Sequence, residues 1–215
     1  SRRAVQYVKD RAAAQQPFLL SLHYTAPHWP WETRAQGQVD PEVCKDIAHL
    51  DGGNVETYQT MIREMDEGIG WVVEALRETG QLEDTFIVFT SDNGCAPYIG
   101  VDDLEELGHY PSGPLRGYKS DAWEGGHRVP FIVRWPGVVK PDTRTDALAA
   151  NIDVVPTIVE ACAASKPKHE IDGQSFLPLL KGEKATAREA FTYFYGDRLE
   201  AVRKGKWKLH LPHAY

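Results

Sequence analysis

Four side chains carry the chemistry that this sequence offers: Asp92, Asn93, Lys119 and His28. Asp92 and Asn93 stand side by side in Ser91-Asp-Asn-Gly94 and present a carboxylate and an amide oxygen. Hard oxygen donors of this kind suit calcium or magnesium far better than zinc. The same Asp-Asn-Gly run is also ordinary turn chemistry. Lys119 supplies a compact charge with three donors, and His28 can donate from a ring nitrogen. A cation, a lysine and a histidine around one pocket would hold a tetrahedral oxyanion and stabilise charge developing on it. Taken singly, each basic residue is better explained as a solvated surface group.

The elements around these residues decide whether they can meet. Phe86 to Phe89 is an unbroken apolar run of aromatic and β-branched residues, the pattern of a strand buried on both faces of a parallel sheet. Asp92 follows at its carboxyl end, where open α/β sheets bind ligands. Phe18 to Tyr24 predicts a second buried strand, running into Thr25–Trp31, where two prolines force a loop that carries His28. Upstream, Arg3 to Ala14 reads as a helix stopped by Pro17. Between the two strands Asn54 caps a long helix with Tyr58, Met61, Ile62, Met65, Ile69, Val72, Val73 and Leu76 at three- and four-residue steps, closed by Gly80. Strand, helix, strand gives a right-handed βαβ crossover, which would put the loops of His28 and Asp92 on one rim.

Downstream, Cys95 to Pro114 reads as a long irregular segment, either a lid or an acidic surface loop. Leu115 to Gly126 presents Arg116 and Lys119 among glycines that allow close backbone approach. Val129 to Arg134 predicts a third strand, Asp153 to Ala161 a capped helix, and Asp172 to Leu180 a short helix or turn. Ala190 to Tyr195 predicts a strand, and residues 200–203 and 206–210 alternate around Gly205 like a hairpin.

At 215 residues, 42% hydrophobic and 26% charged, the chain has room for one large domain, or one domain and part of a second. Its net charge of −7 argues against a general nucleic-acid or anionic-membrane surface. Cations that meet an anionic substrate must therefore be concentrated locally. No apolar run is long enough to span a bilayer, and no apolar h-region follows Arg2 and Arg3. Cys44, Cys95 and Cys162 suggest neither a disulfide framework nor a metal knuckle.

Four segments together resemble the sulfatase family. They are Pro17-Phe-Leu-Leu-Ser-Leu-His-Tyr-Thr-Ala-Pro-His28-Trp-Pro, Thr57 to Gly70 with Met65-Asp-Glu-Gly-Ile-Gly70, Thr85 to Gly94, and Gly117-Tyr-Lys119 through Gly125-Gly-His-Arg-Val-Pro to Gly137. The resemblance implies hydrolysis of a sulfate ester, on a sulfated carbohydrate or an aryl sulfate. It also implies an alkaline-phosphatase-like α/β fold, a mostly parallel sheet flanked by helices. Residues 1–197 would form the C-terminal portion of the catalytic domain, and residues 198–215 the start of a small antiparallel C-terminal subdomain. By position, Asp92 and Asn93 would be one pair of ligands to Ca2+, with Mg2+ also possible. His28 and Lys119 would be catalytic and contact the sulfate oxygens, and Lys119 would also touch the bridging oxygen. Trp29 and Trp31 could stack on the leaving group, although packing suits at least one of them. His127 stands where the family often has an aliphatic residue. An exported or lysosome-like setting is implied as well.

The departures are specific. The family's nucleophile is a formylglycine made in a Cys/Ser-x-Pro-x-Arg motif, which this chain lacks. Cys95-Ala-Pro-Tyr-Ile99 has isoleucine where the arginine belongs and follows the wrong strand. The family's other metal aspartates, and a further lysine and histidine, also belong upstream. The chain alone is therefore expected to be inactive, and either to aggregate through open sheet edges or to be held by a partner polypeptide. Two other readings compete. A phosphatase or phosphodiesterase of the same superfamily is disfavoured by Asn93 in place of histidine. A non-catalytic binding module would have no use for Asp92, Asn93, His28 and Lys119 together.

Overall fold

A computed structural model of the protein describes residues 1–36, 54–165, 168–183 and 188–212. Cys44 lies outside the described residues. The chain divides into two compact units, Ser1–Thr85 and Phe86–Tyr215.

The first unit is a helical pair. Helix α1 (Arg2–Ala13) buries Ala4 and Val8, and helix α2 (Val55–Glu78) buries Gly68, Ala75 and Leu76. The predicted cap of α2 is present, with Asn54 Oδ1 accepting the Thr57 N–H at 2.9 Å. The two helices pack together, and Lys9 pairs with Glu78 at 2.9 Å on the outside. Gly68 lies against the pair Ser1–Tyr24: a Cβ there would lie 2.2 Å from Ser1 Oγ and 3.3 Å from Tyr24 Oη, which themselves hydrogen bond at 3.0 Å.

The expected strand Phe18–Tyr24 is not formed, and the described residues of this unit contain no strand. A strand exists only through a ladder partner; an apolar run specifies burial and not the neighbour that completes it. Leu19 is in fact 70% exposed. The βαβ crossover expected from the sequence is therefore absent among the described residues.

The second unit begins with β1 (Ile87–Thr90), one residue later than the apolar run. Its partner is β2 (Phe131–Arg134), antiparallel, from Ile87 opposite Arg134 to Thr90 opposite Phe131. The parallel neighbour and two-sided burial expected for β1 are corrected here, since Phe89 and Ile132 are exposed. Phe86 stacks on Trp135 at 4.7 Å, and Phe131 meets the buried Phe176 edge-on at 5.6 Å. The segment after Cys95 is not irregular. A turn of 3-10 helix at Pro97–Ile99 leads into α3 (Val101–Glu106), which buries Val101 and Leu104 and carries Asp102 and Asp103 in its first turn. An apolar i,i+3 pair behind two N-terminal acids is itself a short-helix signal.

The remaining helices are α4 (Glu124–His127), α5 (Val154–Ala161) and α6 (Leu177–Leu180). The chain then forms an antiparallel meander of β3 (Ala190–Tyr195), β4 (Arg198–Lys204) and β5 (Trp207–His210). Gly205, at φ +57°, turns the β4–β5 hairpin. Residues 190–195 thus share a sheet with residues 198–210. The overall class is α/β with small antiparallel sheets.

Candidate active site

The site is built where β1 ends. Asn151 holds that end from outside: its Nδ2 donates to the Ser91 carbonyl at 2.8 Å, and its Oδ1 accepts from Thr90 Oγ1 at 3.1 Å. On the inner side, glycines let three backbone stretches touch. Gly94 N–H donates to the Gly126 carbonyl at 2.9 Å, and Gly125 N–H donates to the Arg116 carbonyl at 2.7 Å. A Cβ on Gly94 would lie 1.8 Å from the Gly125 oxygen, and one on Gly125 would lie 1.9 Å from the Gly117 oxygen. Lys119 N–H then donates to the Cys95 carbonyl at 2.6 Å. Asp121 fixes the bend beyond it by accepting the Tyr118 and Trp123 N–H groups, each at 2.9 Å.

Asp92, Asn93 and Lys119 are thereby carried on one backbone platform within the second unit. Asp92 is exposed, and among the described residues its carboxylate receives only a long hydrogen bond, from Ser91 Oγ at 3.5 Å. Asn93 donates its Nδ2 to the Gly94 carbonyl at 2.9 Å, which leaves Oδ1 as the open end of the amide. Lys119 is half-buried, and its ammonium makes no ion pair or hydrogen bond among the described residues. The donor set has the right chemistry for a hard cation but supplies two oxygens, where calcium takes six to eight. Among the described residues no group of three or more His, Cys, Asp or Glu is placed to hold a metal.

His28 and Trp29 belong to the first unit. His28 is exposed, with Nδ1 at 2.5 Å from the Trp29 carbonyl. Trp29 is half-buried, whereas Trp31 is buried and packs against Tyr58 at 4.9 Å. Trp31 is thus a packing residue. Cys95 is half-buried with its thiol pushed above the ordinary value by burial, which keeps it a thiol and not a nucleophilic thiolate.

A second cluster escapes sequence reasoning. Lys208, from β5, donates to the Ala122 carbonyl, lies 2.8 Å from His127 Nε2 and 3.3 Å from Glu124 Oε1, and sits 3.9 Å over the Tyr193 ring. Arg203 reaches Glu124 at 3.5 Å. His127 Nε2 is near both the Lys208 ammonium and, at 3.2 Å, the Ala122 oxygen. An ammonium can only donate, so Nε2 accepts and the imidazole is neutral. Burial, and then the Lys208 charge, hold His127 below its ordinary range. Burial opposes ionisation of Glu124, but the charge and hydrogen bond of Lys208 outweigh it and hold the carboxyl low. The sequence signal was the inverted alternation of β5, where Trp207 and Leu209 are exposed while Lys208 and His210 are covered.

A pH dependence follows. The unfolded chain takes up a proton on His127 near pH 6.5 while the folded chain does not, so protonation favours unfolding as pH falls below that value. The urea midpoint is expected to fall between about pH 7 and about pH 5.5. The fall should be smaller in His127→Gln, whose side-chain oxygen can still accept from Lys208.

With this geometry in view, comparison with known proteins is decisive about ancestry. The sulfatase family pattern matches residues 2–163, and the N-sulphoglucosamine sulphohydrolase C-terminal pattern matches residues 119–209. The chain belongs to the sulfatase family. It is 33% identical over 202 residues to the steryl-sulfatase of Homo sapiens, covering 93% of this chain and 32% of that protein. Among solved structures it is similar to Ps i-CgsB in complex with k-i-k-neocarrahexaose, with TM-score 0.73, 28% identity, and coverage of 96% of this chain and 44% of that one. It is also similar to BT4656 in complex with its substrate D-glucosamine-2-N,6-O-disulfate, with TM-score 0.52, 25% identity, and coverage of 69% and 29%. The fold is that of the alkaline-phosphatase-like sulfatases. The chain spans about a third of the length of the curated relatives it matches.

Proposed function

We propose that this chain carries the Asp92–Asn93 and Lys119 part of a sulfatase active centre that hydrolyses sulfate esters of a carbohydrate. The observation that supports this most is the platform itself. In a protein of net charge −7, a half-buried ammonium and an exposed carboxylate are held on adjoining backbone with no salt bridge to either among the described residues. A half-buried ammonium without a protein partner keeps its donors open to an incoming anion.

Asp92 and Asn93 Oδ1 would hold Ca2+, with the remaining oxygens from outside this donor set. When bound, the cation would polarise a sulfate oxygen. Lys119 offers its donors to the sulfate oxygens and to the bridging oxygen, where charge develops as the ester S–O bond breaks. By the family resemblance, His28 would be a sulfate-contacting residue and Trp29 a substrate-binding one. The neocarrahexaose and the glucosamine disulfate named for the two solved relatives support a sulfated glycan over an aryl sulfate. The family's formylglycine motif would come from outside these 215 residues, and the family supports an exported setting.

The test is binding and turnover by the 215-residue chain with Ca2+ present. It is expected to bind a sulfated monosaccharide about tenfold more tightly than Lys119→Ala does, and to hydrolyse none of it. Equal binding by Lys119→Ala would remove Lys119 from the site. Turnover by the purified chain would overturn the expectation drawn from the missing motif.

A further inference from the structure

Arg116 is the residue in this part of the chain whose surroundings are not explained by packing. Its guanidinium carbon lies 3.9 Å from the centre of the Trp123 ring, and the His210 imidazole stacks on the same indole at 3.7 Å and 24°. The guanidinium and the imidazole therefore both lie against one indole. Arg116 is exposed, and among the described residues its five N–H donors have no hydrogen-bond or ion-pair partner. Carboxylates are close but committed. Both oxygens of Asp121 accept backbone N–H groups, and Glu124 is engaged by Lys208 and Arg203. In a chain with 31 acidic and 24 basic residues, Arg116 is held against an indole with its donors open.

We propose that Arg116, Trp123 and His210 form an anion subsite next to the Lys119 loop, which takes a second oxyanion carried by the glycan. This rests on reading the Lys119 platform as the sulfate-ester site. The position supports it. Arg116 is three residues before Lys119, its carbonyl is pinned by Gly125 N–H, and the Lys119 N–H is pinned by Cys95. The chemistry is that of an anion and not of a neutral sugar, because guanidinium and imidazole both lie against the indole on which a pyranose would stack. What stays open is the edge of the guanidinium, a rigid fork that matches carboxylate or sulfate oxygens in pairs. Stacking fixes that fork before the ligand arrives, so little side-chain freedom is lost on binding. His210 is held below its ordinary range by burial and then by Lys208, so at neutral pH it contributes an N–H and no charge.

Three disaccharides that share one sulfate ester test this on the full chain with Ca2+. One carries a uronate on the second sugar, one a second sulfate, and one a neutral hydroxymethyl group. Binding is followed by calorimetry and by the Arg116 Nε–H and Trp123 Nε1–H resonances. Both dianionic ligands are expected to bind about tenfold more tightly than the neutral one and to shift both resonances. That preference should collapse in Arg116→Ala and shrink in Arg116→Lys, which keeps the charge and loses the stack. If all three ligands depend on Lys119 but the preference is absent, or persists in Arg116→Ala, the subsite is wrong and the sulfate-ester site stands. If no ligand binds the wild-type chain, the sulfate-ester reading falls and the subsite with it.

Discussion

Replacing Asp153 by alanine is expected to cost about 3–5 kcal/mol, enough to unfold much of a domain of ordinary stability. Asp153 is fully buried and receives Arg188 Nη2 at 2.5 Å, Ala150 N–H at 2.9 Å and Gln174 N–H at 2.8 Å. Its own carbonyl accepts from Thr157 Oγ1, which in turn accepts the Phe176 N–H at 3.0 Å. Alanine leaves the mostly covered Arg188 without its counter-charge and two backbone donors without acceptors. Asp153→Asn keeps an acceptor and the shape, so its loss should be smaller. Chemical denaturation of the three proteins checks the order. The same residue bears on the site, since Asp153 ends the 3-10 turn whose first residue, Asn151, holds the end of β1.

The second large effect is at Gly125. A Cβ there meets the Gly117 oxygen at 1.9 Å and the Arg116 oxygen at 2.9 Å, both backbone, so neither can rotate away. Gly125→Ala is expected to destabilise the second unit by about 3 kcal/mol or more, beyond ordinary overpacking, because the backbone itself must separate. It should also free the Lys119 amide, seen as faster hydrogen exchange. Gly70 is the matched control. It lies inside α2, where an added methyl would meet nothing within 4 Å, and Gly70→Ala should stabilise by about 0.5–1 kcal/mol. Equal effects at the two positions would show that the glycine platform is not needed.

Local signals were readable wherever one segment sufficed. The Asn54 cap, the stripe from Tyr58 to Leu76, the helix after Asp153 and the turn at Gly205 are all present. Long-range pairing was not readable. The Phe86–Phe89 run signals burial but not direction, and the neighbour proved to be antiparallel β2. Phe18–Tyr24 has strand composition without a ladder. The Val101–Leu104 pair was obscured by the acids around it. In the site, the residue types Asp92, Asn93 and Lys119 were legible, and the loop glycines hinted at close approach. The contacts that make the platform were not, nor were Lys208 against His127 and Trp123 against His210, which join positions more than eighty residues apart.

Everything proposed for the site depends on Asp92 and Asn93 holding a hard cation beside Lys119. Titration of Ca2+ into the 215-residue chain, with the Asp92, Asn93 and Lys119 amide resonances followed by NMR, tests it without recourse to turnover. One saturable site with Kd on the order of 10⁻³ M is expected, weak because two protein oxygens are far from a full shell. The shifts should centre on those residues and vanish in Asp92→Ala/Asn93→Ala. Shifts that are absent, lie elsewhere, or survive in the double variant would contradict it.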